Sequence, residues 1–484
     1  MKKRGSSLFL ALALCLTLLP AAAFANGESE TSAPHTHYLC GNGETCSHVG
    51  GHNETDKITF TTAITQTANG NVYVGDGTQD LSYQCVLSEG TYYLATDLVL
   101  EGPPTLKEVG CIYIDSDVTL CLNGHTITII DDRDAFDIRR SAEGNPPTLT
   151  LTDCQGSGKI THGASNEIKY LGNGVSLHQS CNFIMYGGSI TDNTTVWNGG
   201  VYVEGSGKFY MHGGTISGNS AVDGGGVYAN GNFTVSGAVQ ITGNKQGTSA
   251  SNVYLRGNKT ITIGTNHLSS NASIGVTTQN LPANEGIAIA TGANLNDKQY
   301  FRSDTDENYL FYVTSGGTIC MTDANAHGHP ICGESCSHNG SSHTSQIWQP
   351  IGSAEELTAI QNSGGYFYLT DDVTLSSDWT PPSDMFLCLN GHTITGTAGK
   401  STIAVGRGVS FTLTDCRESG KITHENSDAV GCGVSAVGSF IMYGGSITGN
   451  SAARSGGGRV RVRHHDRQRQ RADHRQRQRR LERQ

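Results

Sequence analysis

The sequence predicts an all-β chain, a parallel β-helix solenoid in two tandem modules, each preceded by a short segment rich in cysteine and histidine. Three observations predict it. Val175, Val201, Val227 and Val253 recur every 26 residues. Each opens a three-residue alternation, V-S-L, V-Y-V, V-Y-A or V-Y-L, which is the period of a strand and not of a helix. Finally, a series of motifs in the first part of the chain returns later in the same order.

Each coil reads as three short strands. In residues 199–219 these are Val201-Tyr202-Val203, Phe209-Tyr210-Met211 and Thr215-Ile216-Ser217, the last closed by Gly218-Asn219. Valine, phenylalanine, methionine and isoleucine fall at the inward positions, and the tyrosines fall outward. Gly-Gly and Gly-Asn pairs supply the positive φ that tight corners need. Asn193, Asn219 and Asn244 recur at the same corner, as stacked amides that bond along a ladder.

The module repeat sets the domain plan. L-C-L-N-G-H-T-I at 120–127 returns at 387–394, T-D-C-x-x-S-G-K-I-T-H at 152–162 returns at 414–424, and M-Y-G-G-S-I-T at 185–191 returns at 442–448. Upstream, His35-x-His37-x2-Cys40-x5-Cys46-x-His48-x3-His52 returns as His327-x-His329-x2-Cys332-x3-Cys336-x-His338-x4-His343. This gives Cys/His segments at 26–60 and 321–350, and β-helix modules at 61–320 and 351–458.

The G-G-[ST]-I-[ST]-x-N corner followed by a G-G-V-Y strand resembles the repeats of secreted bacterial right-handed parallel β-helix proteins of pectin-lyase-like architecture. It is similar too to the repeats of polymorphic outer-membrane adhesins. The resemblance is clearest over 172–262. It implies a right-handed parallel β-helix, a fold that hosts lyases, hydrolases and adhesins alike, so fold alone does not choose between them.

The N-terminus reads as a secretory signal, residues 1–25. Lys2-Lys3-Arg4 precede an apolar run at 8–19 and an Ala23-Phe24-Ala25 cleavage pattern. That run is too short to span a bilayer, so an extracellular, secreted or cell-surface location without a membrane span is expected. The formal net charge is −11. Residues 459–484 hold 11 arginines against 3 acids, so the remaining body is still more acidic, which argues against nucleic acid as a partner. The basic tail itself reads as a disordered frameshift product. Shifting its codons by one base permits G-T-M-T-V-S-G-S-A-Q-I-T-G-N, identical to Gly231–Asn244 at 10 of 14 positions.

The Cys/His segments are the candidate metal sites. Tetrahedral zinc takes four sulfur or nitrogen ligands at short spacings. Cys40, Cys46 and His48 with His37 or His52 would supply one structural site, and Cys332, Cys336 and His338 with His329 or His343 a second. The competing reading pairs Cys40 with Cys46 and Cys332 with Cys336 as disulfides in an oxidising compartment. Cys121, Cys154, Cys388 and Cys416 read as buried in the stack. Among the acids, Asp153 and His125 return as Asp415 and His392 and so read as architectural. Asp131, Asp132 and Asp134, around Arg133, have no counterpart in the second module; they are candidates for binding, with calcium as a cofactor.

The outward column Tyr202, Tyr228 and Tyr254 is the other binding candidate, able to stack sugar rings or to contact a partner surface. The expected function is therefore a non-catalytic adhesive or glycan-binding β-helix protein, with carbohydrate or a host or cell-surface ligand as partner. The alternatives are a polysaccharide lyase or glycoside hydrolase of this fold, and a structural stalk. Neither the arginine pattern of the lyases nor the aspartate series of the hydrolases occurs in order.

Overall fold

The computed structural model describes residues 35–39, 57–75, 79–80, 85–101, 111–141, 144–163, 171–282, 286–331, 346–361, 364–425 and 431–450. The chain is a right-handed parallel β-helix in two tandem modules, as its period demands. In each module three strand columns wind around a core of their own.

The valine column runs through Ile112–Ile114, Phe136–Ile138, Val175–Leu177, Val201–Val203, Val227–Ala229 and Val253–Leu255, every neighbour parallel. The phenylalanine column includes Val118–Cys121, Thr148–Thr152, Asn182–Met185, Lys208–Met211 and Asn232–Gly237. The isoleucine column includes Thr126–Ile129, Lys159–His162, Ser189–Thr191, Thr215–Ser217 and Gln240–Thr242. Register follows the sequence repeat: Val175 pairs with Val201, Val201 with Val227 and Val227 with Val253. All four valines are fully buried in one interior column.

Alternation explains the core. Each three-residue strand of the valine column turns its first and third side chains inward and its middle one out, so a slip of one residue would expose the entire set. Phe183, Phe209 and Phe233 stack at centroid spacings of 4.9 Å and 4.9 Å. That distance is the strand spacing itself, so identical rings in register stack without adjustment.

The corner asparagines form the predicted ladder. Asn193 Nδ2 donates to Asn219 Oδ1 at 2.8 Å, Asn219 Nδ2 to Asn244 Oδ1 at 2.9 Å, and Asn244 Nδ2 to Asn252 Oδ1 at 3.0 Å. The ladder starts at His162, whose Nδ1 is 2.7 Å from Asn193 Oδ1, and ends at Asp304, which accepts from Asn252 Nδ2. His424 and Asn450 repeat the first rung in the second module at 2.6 Å. Coil length is not constant: Asp134 and Asn173, bonded across neighbouring coils, lie 39 residues apart, against 26 for Asn193 and Asn219. The extra chain is carried in turns, where insertion costs the stack nothing.

The second module begins on the end of the first. Its short helix, Ala354–Ala359, is N-capped by Ser353. Glu356, almost fully buried, accepts from the amides of Val313 and Gly352 at 2.9 Å and 2.8 Å and pairs with Lys298. From there Gly365–Leu369, Met385–Cys388, Ser410–Thr414 and Ser439–Met442 stack in parallel around a second core. Residues 1–34, where a signal segment is expected, the stretches carrying Cys40 to His52 and Cys332 to His343, and residues 451–484 lie outside the described residues.

Candidate metal centres and the outward face

Among the described residues, two groups of His, Cys, Asp or Glu are gathered tightly enough to hold a metal ion. They are His35, His37, Cys121 and Cys154, and their counterparts His327, His329, Cys388 and Cys416. Within each group the ligand atoms lie within 4.8 Å of one another.

The construction is the same in both. The histidines come from the strand before the module: His35–Tyr38, paired antiparallel with Lys57–Phe60, in the first case. The thiols come from two consecutive coils of the phenylalanine column. Cys121 ends one strand, and Cys154 follows the end of the next. Asn123 turns the corner after Cys121 with φ 49°, and Asn390 does so after Cys388 with φ 50°. Asp153 fixes the second corner by accepting from the amides of Gly124 and Gly158 at 2.7 Å and 2.6 Å; Asp415 does the same for Gly391 and Gly420 at 2.7 Å and 2.6 Å. The repeated L-C-L-N-G and T-D-C motifs are thus the two walls of one site. Asp153 and Asp415 hold corners, and His125 faces Asp97 at 3.1 Å instead of entering the site.

The distances suit a four-coordinate ion. Cys121 Sγ and Cys154 Sγ are 3.6 Å apart, and Cys154 Sγ and His35 Nε2 are 3.5 Å apart. In the second group His327 Nε2 and His329 Nε2 are 3.1 Å apart. Zinc at its usual ~2.3 Å from sulfur and ~2.0 Å from nitrogen sets tetrahedral edges of about 3.8 Å, 3.5 Å and 3.3 Å for S–S, S–N and N–N.

The protonation pattern fits as well. His37 Nδ1 meets the carbonyl of Tyr38, and His329 Nδ1 meets that of Pro330 at 2.7 Å. With Nδ1–H donating to these carbonyls, the Nε2 lone pair turns toward the thiols. His37 Nε2 is buried with no hydrogen-bond partner. Burial lowers the His37 pKa, and burial with the neighbouring His37 lowers that of His35, so both imidazoles favour the neutral ligand form. The hydrogen bond from Cys121 lowers the Cys154 thiol, and that from Cys388, together with His327 and His329, brings Cys416 to about 3. Cys121 and Cys388 shift upward as the donors of those bonds. In each pair the second thiol is thus the one shifted toward the thiolate form that a metal ligand takes.

Aromatic rings brace the imidazoles. His35 stacks on Tyr93 at 4.8 Å and His37 on Phe60 at 4.5 Å; His327 stacks on Tyr368 at 4.0 Å and His329 on Trp348 at 4.5 Å. Tyr93 and Tyr368 are the direct cross-strand partners of Cys121 and Cys388, so each ring comes from the coil below the thiol.

These tetrads bring the expected His37 and His329 together with His35 and His327, which the sequence reading did not single out as ligands. The thiols come from positions that read as core. Cys416 is exposed and Cys154 partly so. The expected ligands Cys40, Cys46, His48, His52, Cys332, Cys336, His338 and His343 lie outside the described residues. The signal in the sequence was joint repetition: H-x-H, Cys-Leu-Asn-Gly and Asp-Cys each return once per module. Cys111, Cys181 and Cys432 have no such counterpart.

The three aspartates of the first module are not gathered at one point. Asp131 pairs with Arg133 at 3.0 Å, Asp132 accepts from the Leu171 amide at 2.8 Å, and Asp134 accepts from the Asn173 amide at 2.7 Å. They tie the long turn to the next coil. Burial raises the Asp134 carboxyl. The tyrosine column is present: Tyr202, Tyr228 and Tyr254 are partly exposed and in register, with ring centroids 5.8 Å and 5.4 Å apart. Beside them the turn ahead of Val201 exposes Val196 and Trp197, the latter by 75%.

No family model matches the chain, nor does any curated protein or solved structure. No helix among the described residues is long and apolar enough to cross a membrane.

Proposed function

We propose that this is a secreted or cell-surface binding protein, non-catalytic, whose first module offers a sheet face to carbohydrate and whose two modules are each clamped by a structural zinc ion. The observation that carries the binding reading is the ladder Tyr202–Tyr228–Tyr254. Three half-exposed rings at strand spacing make a flat, rigid, amphipathic strip, and exposed Trp197 lies in the turn that leads into it. Sugar rings bind by stacking their apolar faces on such rings. The tetrads support structural zinc and not catalytic zinc, since four protein ligands leave no open position for a substrate.

A glycan array probed with the purified chain tests the binding reading, with reducing-end release measured on the same oligosaccharides. Binding that Tyr228→Ala weakens, without release of new reducing ends, is the expected result. Cleavage would establish an enzyme, and absence of binding would leave a structural stalk. Elemental analysis should find two zinc ions per chain, one for each tetrad.

A further inference from the structure

The second module provides an internal control for the first. Where the two superpose in sequence and register, a residue that the fold requires should recur, and one that it does not require need not. Phe136–Ile138 pairs with Val175–Leu177, and Ile403–Val405 pairs in the same way with Val434–Ala436. Asp137 therefore corresponds to Ala404, Arg139 to Gly406 and His178 to Val437. The second module builds the same two coils without any of the three.

In the first module these residues form one bonded network. Arg139 holds Asp137 through two nitrogens, at 3.0 Å and 2.7 Å. His178 bridges two carboxylates, with Nε2 3.1 Å from Asp137 and Nδ1 3.0 Å from Glu204. Gln179 Nε2 donates to the other Glu204 oxygen at 3.2 Å. The Arg139, His178 and Glu204 side chains are 35%, 31% and 28% exposed, so the network is open to solvent. With Arg140 they line a hollow of about 280 Å³.

The hollow continues the aromatic strip. Asp137, Ser176 and Tyr202 are successive rungs of one outward column, and Tyr113 is the rung on the other side of Asp137. Rungs are spaced ~4.8 Å, so the polar stretch between Tyr113 and Tyr202 spans about 14 Å. Glu204 stands two residues after Tyr202 and shares its outward side. A ring lying on Tyr202 would thus present its edge to Glu204, Gln179 and His178.

Resting on the carbohydrate reading above, we propose that this hollow is a saccharide subsite that takes the hydroxyl edge of a neutral pyranose stacked on Tyr202. Sugar hydroxyls both donate and accept. The hollow offers the Glu204 carboxylate as acceptor beside guanidinium, imidazole and amide groups, with buried Asp137 holding Arg139 and His178 in place from behind, so little side-chain freedom is lost on binding. Arg139 matches the charge of Asp137, and His178 lies against both Asp137 and Glu204. The network therefore selects hydroxyl geometry more than ligand charge.

The test replaces the network by what the second module uses: Asp137→Ala, Arg139→Gly and His178→Val together, a set the fold tolerates. Wild type, this triple variant, Glu204→Gln, Arg140→Ala and Tyr228→Ala are compared on an array of neutral and acidic oligosaccharides, with circular dichroism as the folding control. Loss of two or more hydrogen bonds predicts weakening of neutral-sugar binding by roughly ten- to a hundredfold in the triple variant, and a smaller loss in Glu204→Gln. If the triple variant binds like wild type while Tyr228→Ala does not, the hollow is not a subsite, and the carbohydrate reading stands. A preference for acidic sugars abolished by Arg140→Ala alone would overturn the neutral-edge assignment. No binding by wild type would overturn both.

Discussion

Replacing Cys154 or Cys416 with serine removes one sulfur from a tetrad while changing little else. Cys154 is partly exposed and Cys416 exposed, so no core cavity opens. Serine can still donate to Asn123 Oδ1 or Asn390 Oδ1, which the thiols now approach at 3.4 Å and 3.5 Å. The effect should therefore appear through the metal. A ligand that binds only the folded state stabilises it by about 2.7 kcal/mol at a hundredfold excess over Kd and about 4.1 kcal/mol at a thousandfold. That is a melting shift of roughly 5–15 °C in the larger first module and roughly twice that in the smaller second one. The assay is thermal unfolding by circular dichroism, with zinc and with chelator, alongside zinc content by elemental analysis. Wild type should lose its upper stability on chelation. Each variant should bind one zinc ion instead of two and melt, with zinc present, as the chelated wild type does in the affected module. Cys40→Ser should leave the content at two. If Cys154→Ser and Cys416→Ser both retain two ions, or if zinc binds without moving the melt, the tetrads are not structural metal sites.

Four further outcomes are expected. Asn219→Ala should destabilise the first module by about 3–5 kcal/mol in denaturant titration, because it strands the Asn193 side-chain amide and the Ile190 carbonyl, both buried. Phe209→Ala should cost about 3–5 kcal/mol by the same measurement, through an internal cavity and the loss of two ring stacks at 4.9 Å. The Asp137 hydrogen bond raises the His178 pKa above 6.5; burial pushes Asp137 up, but bonds from His178 and Arg139 outweigh it and leave its pKa below 3.8. The His178 contribution is then complete below its unfolded pKa and fades as pH rises through the higher folded value. The Asp137 contribution is complete above its unfolded pKa and fades as pH falls through the lower folded one. The network should thus stabilise most between about pH 4 and 6.5, and His178→Val should flatten the decline above that window in melts recorded against pH. Finally, a small-molecule disulfide oxidant should join Cys121 to Cys154, whose sulfurs are 3.6 Å apart, and expel zinc. One ion should appear in a colorimetric assay for every two thiols lost at each site.

The solenoid was legible because its information is local and periodic. Val175 to Val253 repeat at the coil length, alternation fixes which side chains face inward, and Gly-Asn corners fix where the chain turns. Parallel stacking then follows almost without choice, since each coil can bury its apolar residues only against copies of itself. The asparagine ladder was legible for the same reason. The tandem modules were legible as repeated motif order, and the tyrosine column as the outward member of each alternation.

The metal tetrads and the polar hollow were decided by tertiary structure. Their members are far apart along the chain: His35 and Cys154 are separated by 119 residues, and Asp137 and His178 stand on consecutive coils of unequal length. Short spacing points to Cys40 and Cys46, which lie outside the described residues, because proximity in sequence is the only proximity a sequence displays. Stacking also brings together whatever occupies equivalent corners, so Cys121 and Cys154 meet across two coils while the preceding strand delivers His35 and His37 from the side. The sequence determined which residues recur; the winding of the chain decided which of them touch.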